Sequence, residues 1–240
     1  MADYQTIRTI SAGARTAEID QGLRTHMNKV YGLMSVAMLL TGAVAWGVGT
    51  NEALVQAIFT TPLKWVVMFA PLAMVFAFSA MIGRMSVAAA QLFFYAYAAA
   101  VGLSLSFIFA IYTQTSIAQT FLVTSIAFAG LSLYGYTTKK DLSAMGSFLL
   151  MGLIGLIVAS LVNLFLASSA LAFAISVIGV LIFAGLTAYD TQSIKNTYLA
   201  HAEAGDQQWL GKAAIMGALN LYLDFINMFM FLLQFLGNRD

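Results

Sequence analysis

This 240-residue chain contains no cysteine, two prolines and two histidines, and only 9% of its residues are charged. The lack of cysteine excludes disulfides, thiol catalysis and cysteine-ligated metal sites. His26 and His201 are far apart, fit no zinc motif, and are expected to be solvated in polar segments. A formal net charge of +1 gives no basic footprint for nucleic acid. A soluble domain has roughly 25% charged residues, so the scarcity of charge excludes an ordinary water-soluble fold. Any chemistry must use oxygen and nitrogen groups.

What the chain has instead is apolar length: 61% hydrophobic residues and a mean hydropathy of +0.86. About 20 apolar residues cross the hydrocarbon core as a helix. One such stretch runs from Val30 to about Thr50, and a second from Trp65 to about Ile82, entered at Pro62 and carrying Pro71. From Met85 to Thr138 there is no charge over about 54 residues, too long for one crossing. The polar run Tyr112-Thr113-Gln114-Thr115-Ser116 is the natural break between two helices. Leu142 to Tyr189 repeats the pattern with a break near Ala167-Ser168-Ser169-Ala170, and a last helix runs from about Ala213 to Leu236. The expected fold is all-α, a polytopic membrane protein with seven spans: a polar cytoplasmic tail over 1–28, then one membrane domain over 29–240. No internal repeat is legible. Scattered glycines such as Gly42, Gly152, Gly179 and Gly185 suit close helix packing in lipid.

Orientation follows from lysine and arginine. With the N-terminus inside, the inner segments hold Arg8, Arg15, Arg24, Lys29, Arg84, Lys139, Lys140, Lys195 and Lys212, and the outer ones only Lys64 and Arg239. That bias puts the N-terminus in the cytoplasm and the C-terminus outside. The first residues lack the apolar core of a cleavable signal peptide.

Against this background two acids stand out, Asp190 and Asp224, each inside an apolar helix. A carboxylate there costs at least about 2.5 kcal/mol on insertion scales and marks a functional site by default. In the last helix Gly217, Asn220, Asp224, Asn227 and Gln234 recur at helical spacing, a polar stripe that must face the bundle interior or a wet cavity. By rise per residue Asp224 lies about 18 Å from Lys212, near mid-membrane. Asp190 lies a few turns inside the cytoplasmic mouth if its helix continues through Ile194. Should the acids touch, they would share one proton and act as a pH sensor. The plainer alternative for each is an ion pair with arginine or a helix cap. Lys139 and Lys140 fit a cytoplasmic anchor, while Asp141 or Ser143 can cap the following helix.

The strings Tyr134-Gly135-Tyr136-Thr137-Thr138-Lys139-Lys140-Asp141-Leu142-Ser143, Ala188-Tyr189-Asp190-Thr191-Gln192 and Leu221-Tyr222-Leu223-Asp224-Phe225-Ile226-Asn227 resemble the bacterial branch of the Bax inhibitor-1 family, the transmembrane Bax inhibitor motif proteins. The resemblance covers essentially all of the chain after its N-terminal tail. It implies seven helices with the last surrounded by the other six, and a pH-sensitive calcium leak in a bacterial inner membrane. It implies too that Asp190 and Asp224 form the gating pair, with Arg84 as the arginine that latches onto Asp190. Arg84 also fits a simple positive-inside anchor. The pair, with Asn220 and Asn227, is expected to offer calcium a weak transit site, and no resident cofactor is expected.

An intramembrane aspartyl protease also uses two aspartates on adjacent helices, but the Gly-x-Gly-Asp and Pro-Ala-Leu strings of such enzymes are missing, and no enzyme is expected. A retinal receptor is a similarly weak reading, because no lysine follows Lys212 to form a Schiff base. The remaining alternative is a regulator that binds a membrane-anchored protease or another membrane protein without transport.

Overall fold

The structure, a computed structural model, describes residues 2–202 and 206–238, with side chains from residue 17 onward. Arg8, Arg15 and Arg239, counted in the charge bias, lie outside the described side chains. Among the described residues the fold is entirely helical: α1 (Ala2–Gly49), a short α2 (Glu52–Phe59), α3 (Leu63–Met81), α4 (Val87–Leu105), α5 (Gln114–Thr137), α6 (Ser143–Leu166), α7 (Ser169–His201) and α8 (Gln207–Leu236). Seven of these are long and apolar enough to cross a membrane, all but α2. The sixth and seventh spans of the sequence reading are therefore α7 and α8.

Local chemistry sets the helix starts. The side chains of Asn51, Ser86, Thr113, Ser168 and Asp206 each accept the backbone N–H three residues on, at 3.0–3.3 Å. These bonds satisfy amides that have no partner within the helix. Both expected breaks are present. α4 runs out through a 3-10 turn, Ser106–Ala110, before α5 begins at Gln114. α6 stops where Ala167 takes a left-handed conformation (φ 48°) and Asn163 Oδ1 accepts the Ser168 N–H at 3.0 Å. Pro62 caps α3, and Pro71 lies inside it.

Two boundaries differ from the expectation. α1 starts well before Val30, because Leu23, Met27 and Val30 repeat at helical spacing and all three are buried in the core. α7 continues past Tyr189 to His201, eleven residues beyond Asp190, so that acid lies about 16 Å, or three turns, from the helix end, the depth expected if the helix continued through Ile194.

α8 is the innermost helix. In its most apolar window 56% of residues are buried, against 11% for α3 and for α6. It packs against α1, α4, α5 and α7, whereas α3 leans chiefly on α4 and α6 chiefly on α7. The sequence reading puts the last helix at the centre with six around it; among the described residues its close neighbours are these four. The outer faces of α3 and α6 carry Phe69, Phe76, Phe148, Ile154 and Phe165, all exposed, as a helix in contact with acyl chains requires. Inside, Tyr222 is fully buried. Its phenol meets the Thr41 hydroxyl at 2.7 Å, and Thr41 in turn donates to the Ala98 carbonyl at 2.8 Å, tying α8 to α1 and α4.

Candidate functional site

α7 and α8 share the most extensive contact in the molecule, and small residues set its closeness. A Cβ on Gly217 would stand 2.9 Å from the Ile194 side chain, and one on Gly179 would stand 2.6 Å from the Phe231 ring. Between these two approaches the carboxyl groups of Asp190 and Asp224 come within hydrogen-bonding reach of each other. Asp224 is buried, and its Oδ2 has no hydrogen-bond donor among the described residues. Asp190 is half-buried. Two carboxyl groups in contact need a shared proton, since two bare carboxylates in a poorly solvated site repel.

The pair lines a cavity of about 630 Å³ between α6 and α8, floored by α7. Asn220, Asn227 and Ser160 add polar groups, and Leu153, Leu156, Phe183 and Phe231 form apolar walls. Asn227 donates its Nδ2 to the Leu223 carbonyl at 2.8 Å, which leaves its side-chain oxygen as the group available to the cavity. A second cavity of about 460 Å³ opens at the end of the bundle where α7 and α8 join, bordered by His26, Thr197, Asp206, Trp209 and Lys212. Asn220 lines both cavities, so one face of α8 runs from the basic end of the molecule to the acids. The polar stripe thus faces the α6 side, while Ile215, Ala218, Leu221, Tyr222 and Met228 of the same helix fill the packed core.

The residues singled out from sequence fall into two groups. Asp190, Asp224, Asn220 and Asn227 come together around one cavity. Arg84 does not join them: it is exposed at the end of the turn Ile82–Arg84 and forms no ion pair with either acid among the described residues. Its neighbour Gly83 borders the basic-end cavity and accepts the Lys212 ammonium at 3.0 Å, which pins this turn to the start of α8. Leu142 occupies the N-cap position of α6, and Asp141 reaches the helix start from the residue before it. Its carboxylate accepts the Ser143 N–H at 2.9 Å, and the bonds from Ser143 hold it below the usual aspartate value of 3.8. Gln234 accepts the Ser176 hydroxyl at 3.2 Å.

His26 corrects an expectation. It is buried, not solvated, and stacks near the Tyr198 ring with centroids 5.0 Å apart, because α1 extends past the tail boundary and carries it into the bundle. His201 is exposed and stacks on Trp209 at 3.9 Å.

Sequence reasoning missed two polar devices. Gln192 accepts the Leu142 N–H and donates to the Lys140 carbonyl, both at 2.8 Å, clamping the α5–α6 loop to α7 two residues from Asp190. The Lys195 ammonium reinforces this by donating to the Tyr136 carbonyl at 2.8 Å. A second chain links Tyr31 to Ser132 at 2.6 Å and Ser132 to Thr191 at 3.0 Å, joining α1, α5 and α7. A glutamine in an apolar helix needs partners for both ends of its amide, and that requirement was the available signal.

An all-helical bundle with seven apolar spans, an acid pair at the contact of the last two helices and a cavity beside it defines a polytopic membrane protein. The chain belongs to the family described as inhibitor of apoptosis-promoting Bax1 (Bax1-I), whose model matches residues 23–240. It is 49% identical over 219 residues to the inner membrane protein YbhL of Escherichia coli (strain K12), covering 91% of this chain and 93% of YbhL. It is 48% identical over 239 residues to the uncharacterized protein RP147 of Rickettsia prowazekii (strain Madrid E), covering 100% of this chain and 99% of that one. A membrane protein of Streptococcus pyogenes serotype M3 is 38% identical over 225 residues, covering 92% of this chain and 96% of its own.

Proposed function

We propose that this protein is a pH-sensitive passive cation leak of a bacterial inner membrane, with calcium as the permeant ion and the Asp190–Asp224 pair as its gate. The observation that carries the reading is the contact between the two acids at the wall of a cavity that shares Asn220 with the basic-end cavity. With one proton shared, the acids hold α7 against α8. Once that proton leaves, two like charges face each other in a poorly solvated site, and separation of the helices relieves them. Separation along this contact joins the two cavities at Asn220.

Calcium takes six to eight oxygen ligands. The carboxylates and the side-chain oxygens of Asn220 and Asn227 offer part of such a shell, and water supplies the rest. A permeation path needs binding that is weak enough to release the ion, and an incomplete shell meets that need. Arg84 enters the reading as a counter-charge that movement of the α3–α4 turn brings toward Asp190. The name of the Escherichia coli relative supports an inner-membrane location. The excess of lysine and arginine at one end supports a cytoplasmic N-terminus and an external C-terminus.

The test is calcium flux into liposomes holding the purified protein, measured from about pH 5 to pH 8, since a coupled acid pair titrates as a unit. Wild-type flux should vary with pH, and Asp190→Asn and Asp224→Asn should each remove that variation. No protein-dependent flux at any pH would sink the leak and leave a partner-binding regulator as the reading to pursue.

A further inference from the structure

A third cleft, of about 580 Å³, lies between α1 and α5, apart from the acid pair. α1 and α5 share no extended packing, and the Tyr31–Ser132 hydrogen bond closes the floor of the gap between them. Arg24 and Asn28 stand on its α1 side, about two turns and one turn from Tyr31 respectively, while Phe128 and Leu133 form the α5 wall. α5 ends one residue beyond Tyr136, another lining residue, so the wall descends about 12 Å from the helix end to Phe128. Leu133 is 63% exposed, with no described residue covering it.

The charges are one-sided. Among the described residues Arg24 is the cleft's one charged lining residue, no carboxylate lines it, and the guanidinium makes no ion pair or hydrogen bond. A guanidinium unpaired among the described residues, beside the C-terminal end of α5 and above an apolar trough that runs down into the bilayer, matches a phosphodiester monoanion attached to acyl chains. A soluble anion would use the guanidinium and leave the trough empty; an uncharged hydrocarbon would do the reverse. A phospholipid uses both.

We infer that the α1–α5 cleft is a phospholipid site, in which Arg24 holds the phosphodiester and the wall of Phe128 and Leu133 takes an acyl chain. The headgroup lies at the basic end, with Asn28 and Tyr136 as further polar contacts. Neither acid takes part, so the site stands independently of the leak.

Native mass spectrometry of the full chain in a non-ionic detergent, with an equimolar mixture of phosphatidylglycerol and phosphatidylethanolamine added, tests this. A juxtamembrane basic residue contributes about 1 kcal/mol to lipid binding, so Arg24→Gln should lower the first retained lipid adduct about fivefold. Ala129→Trp, which fills the cleft, should lower it similarly, and Lys64→Gln at the opposite end should leave it unchanged. Arg24 is exposed, so its variant keeps the fold even if the tryptophan variant does not, and the elution profile checks both. Wild-type levels of adduct on Arg24→Gln overturn the site. Displacement of the adduct by millimolar inorganic phosphate would point to a soluble anion and overturn it equally.

Discussion

The carboxyl groups of Asp190 and Asp224 meet across the α7–α8 contact, and neither is ion-paired to a basic side chain among the described residues. The contact therefore depends on a proton, and stability should report its loss. The melting temperature of the purified wild-type protein should fall between about pH 5 and pH 8, by roughly 2–4 °C for each kcal/mol of repulsion released. Asp224→Asn replaces one acid with an amide that donates to Asp190 at any pH, so its profile should be flatter. Equal slopes for the two proteins would refute a proton-dependent contact.

Asp141 supplies the control. Its carboxyl is held below the usual 3.8 by bonds from Ser143, so its stabilising contribution is fully present above the unfolded value and is lost only as pH falls through the lower folded value. Asp141→Asn should leave the slope between pH 5 and pH 8 unchanged. A change there would mean that the slope does not belong to the acid pair.

Asn220 borders both cavities of the proposed path. Asn220→Leu puts an apolar side chain at their junction, and removal of a polar ligand worth about 1.4 kcal/mol corresponds to a tenfold lower rate. Initial calcium flux into liposomes should drop by about that factor, and Asn220→Ser should retain most of it. Unchanged flux in the leucine variant would move the path elsewhere.

Gln192 satisfies one donor and one acceptor of the α5–α6 loop. Gln192→Leu leaves the Leu142 N–H and the Lys140 carbonyl without it, a loss of about 1–3 kcal/mol. Hydrogen exchange at Leu142 should quicken and the melting temperature should fall. An unaltered exchange rate at that amide would show that the clamp contributes little.

Two glycines of α5 separate packing from propensity. A Cβ on Gly135 would collide with the Ala188 carbonyl oxygen, whereas one on Gly130 would meet nothing within 4 Å. Gly135→Ala should force α5 from α7 and destabilise by about 1–3 kcal/mol. Gly130→Ala should be neutral or stabilising by up to about 1 kcal/mol, since alanine favours the helix. Thermal melts of the two variants give the comparison directly, and similar melting temperatures would contradict the close α5–α7 crossing.

Much of the architecture was readable because the bilayer requires it. A helix in lipid must be long, apolar and free of charge, so the breaks at Tyr112–Ser116 and Ala167–Ala170 stand out in a single sequence. The stripe of Asn220, Asp224 and Asn227 was equally legible, since polar groups at helical spacing in an apolar segment must share a face. The start of α1 was not, because Leu23 and Met27 lie among polar residues and show their role only once they are packed. The burial of His26 was hidden for the same reason.

By itself the sequence determined seven apolar spans, a charge imbalance between the two ends, and two acids placed within helices, all properties of composition and spacing along one strand of chain. Only the tertiary structure decided that Asp190 touches Asp224, that Arg84 stands apart from both, that Gln192 grips the neighbouring loop, and that Arg24 overlooks an open cleft. Each of those depends on the depth and rotation at which two helices cross. Small residues such as Gly217 and Gly179, meeting Ile194 and Phe231, set those crossings through contacts between side chains far apart in sequence.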